Sequence, residues 1–160
     1  SMIEQGQKIP KGTLSELGPD GMINHDTEEL FAGKKTVVFA LPGAYTPTCS
    51  AAHLPGFVVF ADQLKAKGVD QIICLSVNDA FVMKAWGEAH NAEEILMLGD
   101  GDASFTKALG LEKETGSFGG TRSKRYAMIV DDGVVTLLNV EAEGQFEVSK
   151  AEAILTALES

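Results

Sequence analysis

Cys49 closes the run Pro42-Gly43-Ala44-Tyr45-Thr46-Pro47-Thr48-Cys49, the stretch whose residue types could do chemistry. A cysteine is a nucleophile only as its thiolate. The run lies between an apolar segment, Thr36 to Leu41, and a segment with helical spacing. Pro47 suits a first helical turn, and Thr46 or Thr48 suits the cap. Cys49 is therefore expected in the first turn of a helix, just past the carboxyl end of a strand. Unpaired amides and the positive end of the helix dipole favour an anion there, so thiolate chemistry is expected. The bland alternative is a buried structural cysteine. The polar neighbours and the Pro- and Gly-containing turn weigh against it.

Other residues could serve this thiol, and each has an ordinary structural use. Thr46 stands three residues before Cys49 and could exchange a hydrogen bond with a bound substrate oxygen or cap the helix, and Thr48 carries the same ambiguity. Pro42 could shield the sulfur from water or shape the turn. Tyr45 could line the mouth of a pocket or a subunit contact. His53 follows Cys49 by four residues, on the same helical face, and could form a Cys–His pair. A structural histidine packed beneath Pro55 is the favoured reading, since no acidic partner stands nearby in the sequence. Arg125 abuts the most apolar stretch among Arg122, Lys124 and Arg125, and is the best candidate to reach inward to a thiolate. Cys74 lies inside the apolar run Ile72-Ile73-Cys74-Leu75, where an inert buried thiol is expected; a resolving role would require it to approach Cys49.

The elements that must hold these residues follow from periodicity. Lys11 to Glu16 and Met22 to His25 flank Gly18-Pro19-Asp20-Gly21 and predict an amino-terminal hairpin. Asp26 or Thr27 caps a short helical turn through Phe31. Thr36–Leu41 and Gln71–Val77 read as strands buried on both faces, as in a parallel sheet. Phe57–Lys67 and a segment from Asn78 or Asp79 to His90 have helical spacing. Ile95–Leu98 is a third short strand, and Ser104–Leu109 a short helix behind an aspartate-rich cap. Residues 110–124 hold no apolar period, and Gly116-Ser117-Phe118-Gly119-Gly120 marks a loop. Tyr126–Val130 and Val134–Val140 flank the tight hairpin signal Asp131-Asp132-Gly133. Ser149 is expected to cap a final helix. The order predicts one α/β domain over residues 1–160, with a central mixed β-sheet flanked by helices on both faces.

Bulk composition bounds the function. The chain has 160 residues and a formal net charge of −10, from 13 basic and 23 acidic residues. That balance argues against nucleic acid and anionic membrane surfaces as partners. Two cysteines outside any C-x-x-C pair argue against a disulfide scaffold and a dithiol oxidoreductase. Three scattered histidines give no zinc spacing, so no metal is expected. Asp100-Gly101-Asp102 opens like a calcium loop, but Phe105 and Leu111 occupy later key positions, and these residues are expected to cap a helix. No secretory signal is visible, Ser1 before Met2 resembles a cloning scar, and a reducing, cytoplasmic setting is expected, with a processed organellar form as the alternative.

Pro42-x-x-x-Thr46-x-x-Cys49 resembles the P-x-x-x-T-x-x-C motif of the peroxiredoxins. Phe39 to Ser50, His53-Leu-Pro-Gly-Phe57, Leu75-Ser-Val-Asn-Asp79, Phe81-Val-Met-Lys-Ala-Trp86 and Arg125-Tyr126 resemble the peroxiredoxin V (type II) subgroup. The resemblance implies a thioredoxin-like fold and a cysteine peroxidase without haem or metal, acting on hydrogen peroxide and organic hydroperoxides. Cys49 would be oxidised to a sulfenic acid, Thr46 would align the peroxide, Pro42 would shield the site, and Arg125 would pair with thiolate and peroxide. The amides of Thr48 and Cys49 would bind the peroxide, with Tyr45 and His53 as further binding candidates. The family suggests a homodimer with Tyr45-Thr46-Pro47 and the Phe81–Trp86 helix near the contact. Some members of the subgroup carry a resolving cysteine between the last strand and the last helix. Here residues 141–149 contain none. Recycling would fall to an external thiol (glutathione with glutaredoxin favoured over thioredoxin) or to Cys74. The alternative function is a redox sensor or binding module that signals through the same oxidised cysteine.

Overall fold

Three β-hairpins, three β–α units and two further helices make up the architecture of residues 1–159, which the computed structural model describes; Ser160, the end of the expected domain, lies outside them. The first hairpin pairs β1 (Thr13–Gly18) with β2 (Gly21–Asp26) across the two-residue turn Pro19-Asp20. Asp26 accepts from the Glu28 amide and starts α1 (Thr27–Phe31). The strand β3 (Lys35–Leu41) then runs into the cysteine turn. A π-helical turn over Cys49–His53 leads without a break into α2 (Leu54–Ala66). Next come β4 (Gln71–Ser76), α3 (Ala80–Ala89) capped by the Asp79 carboxylate, β5 (Leu96–Gly99) and α4 (Ser104–Leu109).

The expected loop at residues 116–120 connects two short strands that the sequence does not predict. They form a small separate hairpin of β6 (Glu112–Glu114) and β7 (Thr121–Ser123), joined through a 3-10 turn at Gly116–Phe118. Strands of three residues, mostly polar, carry no period to read. The closing hairpin pairs β8 (Tyr126–Asp131) with β9 (Val134–Val140) on an Asp132-Gly133 turn whose φ values are both positive, as a twist-matched two-residue turn requires. The last helix is α5 (Ala151–Glu159). Ser149 does not cap it: the first intrahelical bond runs from Ile154 N–H to the Lys150 carbonyl, and the Ser149 hydroxyl donates to Glu141.

The seven main strands lie in the order β2-β1-β5-β4-β3-β8-β9. β3, β4 and β5 are parallel neighbours, and β1, β8 and β9 make the sheet mixed. Strand alternation divides the apolar side chains between two faces. Val37, Phe39, Leu41, Ile72 and Cys74 pack with α2, α3 and α5, whereas Val38, Ala40, Ile73 and Leu75 pack with α1 and α4. The fold is thus the expected thioredoxin-like one, with helices on both faces. No helix among the described residues is long and apolar enough to cross a membrane.

Candidate active site

The site begins where β3 ends. Pro42 and Gly43 stop the strand, and Asn78 fixes the turn by accepting from the Ala44 amide (3.0 Å) and the Ser76 hydroxyl (2.6 Å). Tyr45 takes a left-handed backbone, φ 66°, a conformation sparsely populated by residues other than glycine. Ser50 N–H donates to the Thr46 carbonyl at 2.9 Å, so Thr46 is the helix cap position and Cys49 falls in the first turn, as expected. First-turn amides, those of Thr48 and Cys49 included, have no intrahelical acceptor.

Thr46 does not cap with its side chain. Its hydroxyl donates to the Gly43 carbonyl at 2.7 Å. The proton is thereby committed, and the oxygen's lone pairs remain to accept. Of the two uses open in the sequence, only acceptance of a hydrogen bond stays available.

Arg125 reaches the thiol because β8 runs antiparallel to β3, pairing Tyr126 with Ala40. The residue before Tyr126 must therefore lie at the carboxyl end of β3. Arg125 Nη2 donates to Cys49 Sγ at 3.2 Å, and Nη1 to His53 Nδ1 at 2.9 Å. Its guanidinium also lies 5.7 Å from the centre of the Phe146 ring. A forked cation held this way has little freedom, and it presents fixed charge to the sulfur.

His53 is 1% exposed, and both ring nitrogens are engaged, Nδ1 by Arg125 and Nε2 by the Ser149 carbonyl at 3.0 Å. Since Arg125 can only donate and a carbonyl can only accept, the ring is neutral with its proton on Nε2. Burial, then the Arg125 charge, lowers its pKa to about 3 against a bond to Ser149 and the charge of Glu141 that raise it. His53, the candidate for binding substrate, is enclosed by Phe39, Phe57 and Phe146, and both of its ring nitrogens are spent on Arg125 and Ser149. Phase explains the meeting. In the π-helical turn, the Leu54 N–H bonds to the Cys49 carbonyl, five residues back, and this widening keeps positions 49 and 53 nearly aligned.

Glu141 and Ser149 were not foreseen. One Glu141 oxygen accepts from the Ser149 hydroxyl (2.7 Å) and from the amides of Ser149 and Glu147 (both 2.8 Å), and these bonds hold its pKa below the usual carboxylate value despite the opposing effect of burial. The polar chain Glu141–Ser149–His53–Arg125–Cys49 is therefore continuous. An acidic residue eight positions from a serine carries no local signal. Arg122 serves the turn rather than the sulfur, donating to the carbonyls of Val77 (3.1 Å) and Gly119 (3.0 Å).

The other expected residues separate clearly. Pro42 and Thr48 wall a groove that Arg125 also lines, whereas Tyr45 does not border it and is 55% exposed. Cys74 is fully buried on the same sheet face as Cys49, and burial, then the Cys49 charge, pushes its thiol well above the ordinary value. A raised pKa favours the protonated thiol, the less nucleophilic form. The carboxylates of Asp100 and Asp102 accept from the Ser104, Phe105 and Thr106 amides, as helix caps do. No group of three metal-ligating side chains is placed to hold an ion among the described residues.

Residues 4–155 match the family model of the redoxins. Peroxiredoxin-2E-2, chloroplastic, of Oryza sativa subsp. japonica is 52% identical over 163 residues, covering 98% of this chain and 72% of that protein. Peroxiredoxin-2B of Arabidopsis thaliana is 47% identical over 159 residues, 98% of each chain. The crystal structure of reduced Prx3 in complex with hydrogen peroxide from Vibrio vulnificus superposes with a TM-score of 0.97 at 72% identity, over 98% of this chain and 99% of that one.

Proposed function

The chain belongs to the redoxin family as a peroxiredoxin, a thiol peroxidase, and from that premise we propose how its residues act and what restores them. The Cys49 thiolate attacks one peroxide oxygen in line. The S–O bond forms as the O–O bond breaks, and the departing oxygen takes a proton to leave as water or an alcohol. Cys49 becomes a sulfenic acid. Thr46 Oγ1, its own proton given to Gly43, accepts the peroxide O–H and orients it. Arg125 and the amides of Thr48 and Cys49 face the oxygen on which charge grows, where fixed donors lower the barrier most. Pro42 shields this exchange from water. The observation that carries the reading is the Arg125 Nη2 to Cys49 Sγ contact of 3.2 Å at the amino end of a helix.

Recycling is assigned to an external thiol, glutathione with glutaredoxin, in a reducing compartment such as the cytoplasm. Two features support this reading: residues 141–149 hold no cysteine, and Cys74 is buried and held protonated. The subgroup is assigned as peroxiredoxin V (type II), and the protein as a homodimer through the turn at Tyr45 and the start of α3. Intact-mass analysis after one equivalent of hydrogen peroxide tests the scheme. One added oxygen on Cys49, replaced by a glutathione adduct and then by free thiol, is the expected course. Loss of two hydrogens without glutathione would assign recycling to Cys74 instead, and an unchanged mass would remove the assigned role of Cys49.

A further inference from the structure

A groove of about 470 Å3 starts at Pro42, Thr48 and Arg125, the immediate neighbours of Cys49, and continues along residues 140–146. That size is typical of a small-molecule site. Two lysines also line it, Lys113 from β6 and Lys124 just past β7. With Arg125 they put three cations in its lining, against the carboxylates of Glu141 and Glu143, in a chain whose formal net charge is −10. A local excess of one sign in a cleft draws in ligands of the other sign. Glu143 lies in the same groove, 85% exposed, with Lys113 at 3.4 Å. The other carboxylate there, that of Glu141, is occupied by Ser149 and the Glu147 amide.

We propose that this groove is the binding site of the recycling reductant, a short peptide thiol with two carboxylates and one ammonium, the chemistry of glutathione. The inference rests on the external-thiol reading above and adds where the thiol sits and what selects it. Lys113 and Lys124 take the carboxylates, Glu143 takes the ammonium, and the sulfur is delivered toward Pro42 and Arg125. Segment 141–149 brings no cysteine of its own to this place. Cys49 is buried, so its oxidised sulfur must swing toward the groove to meet the bulkier thiol. The thiol sulfur then attacks the Cys49 sulfenyl sulfur. The S–S bond forms, the S–O bond breaks, and hydroxide leaves with the thiol proton as water. A second thiol attacks the outer sulfur, freeing the Cys49 thiolate and releasing the two thiols as a disulfide.

The test compares two reductants on preformed Cys49 sulfenic acid, glutathione and the uncharged dithiol dithiothreitol, in wild type and in the double variant Lys113→Glu/Lys124→Glu. The readout is the ratio of the two second-order rates, followed by intact mass. Reversing two charges should lower that ratio by about tenfold or more, and Lys113→Arg/Lys124→Arg should restore it. A ratio unchanged by charge reversal, or two rates that fall together, overturns the site. So does an unchanged ratio with a raised KM for a bulky organic hydroperoxide, which would give the groove to the substrate tail. Failure of wild type to react with glutathione at all is seen before any variant is made, and overturns the external-glutathione reading together with this site.

Discussion

Thr46 has a single hydroxyl proton and commits it to the Gly43 carbonyl, so it can only accept from a peroxide. Thr46→Ser keeps that geometry, whereas Thr46→Val removes the acceptor at nearly constant volume. Stopped-flow rates of Cys49 oxidation should fall by about 10²-fold in the valine variant and little in the serine variant, given the usual effect of one lost transition-state contact. Equal rates in both would show that Thr46 only shapes the turn. Arg125→Lys retains charge but loses the fork that grips both Cys49 and His53, and should slow attack by about 10-fold or more by the same measurement. His53 has a distinct signature in stability. Its folded pKa, about 3, lies below the ordinary histidine value of 6.5, so as pH falls the unfolded chain binds the proton first. Stability is lost as pH drops from about 6.5 toward about 3, at a slope approaching ~1.4 kcal/mol per pH unit from this residue alone. Urea unfolding across that range should show the slope in wild type and a flatter profile in His53→Gln. Parallel profiles would mean that His53 is not held neutral.

At the scale of elements, the turn from β3 into the π-helical segment is the part that cannot shift. A Cβ added at Gly43 would come within 3.2 Å of Thr46 Cγ2 and 3.3 Å of Arg122 Nη1, tight enough to push both by a fraction of an ångström. Gly43→Ala should therefore fold, with kcat/KM for peroxide reduced by roughly 3- to 10-fold through displacement of Thr46. A wild-type kcat/KM would show that the turn tolerates the shift. The elements that proved readable in the sequence are those with local signals. Thr36–Leu41 and Gln71–Ser76 read as buried strands because they are continuous apolar runs, Asp26 and Asp79 as caps because a short carboxylate suits unpaired amides, and Cys49 as a first-turn residue because Pro47 marks that turn. What escaped was non-local. β6 and β7 are short and mostly polar; the i to i+5 hydrogen bonding after Cys49 is invisible to any apolar period; and Glu141 meets His53 only through the fold of Ser149. Arg125 was legible as a candidate, but its reach to the sulfur depends on the antiparallel pairing of β8 with β3.

At the scale of the whole molecule, the sheet separates a catalytic side from a supporting side. β3 sends Phe39 and Leu41 toward α2 and the π-helical turn that carries Cys49, and Ala40 toward α4. Outside this double core, two large rings near the site stay in solvent: Tyr45 on the strained turn and Phe81, 61% exposed, in the first turn of α3. Trp86, buried in α3, makes a ring contact with Tyr45 and donates from its indole to the Ser50 hydroxyl. Exposed apolar surface of this kind costs solvation and marks association sites. A homodimer covering both rings would also brace the Tyr45 backbone, and with it the position of Thr46. Phe81→Glu places a charge in that contact without touching the polar chain around Cys49. Sedimentation should show a dimer in wild type and a shift toward monomer in Phe81→Glu. Because the brace is lost with the partner, kcat/KM of the monomer should fall several-fold while the circular dichroism spectrum holds. A monomeric wild type would remove the interface, and a Phe81→Glu monomer of full activity would uncouple association from the geometry of the turn.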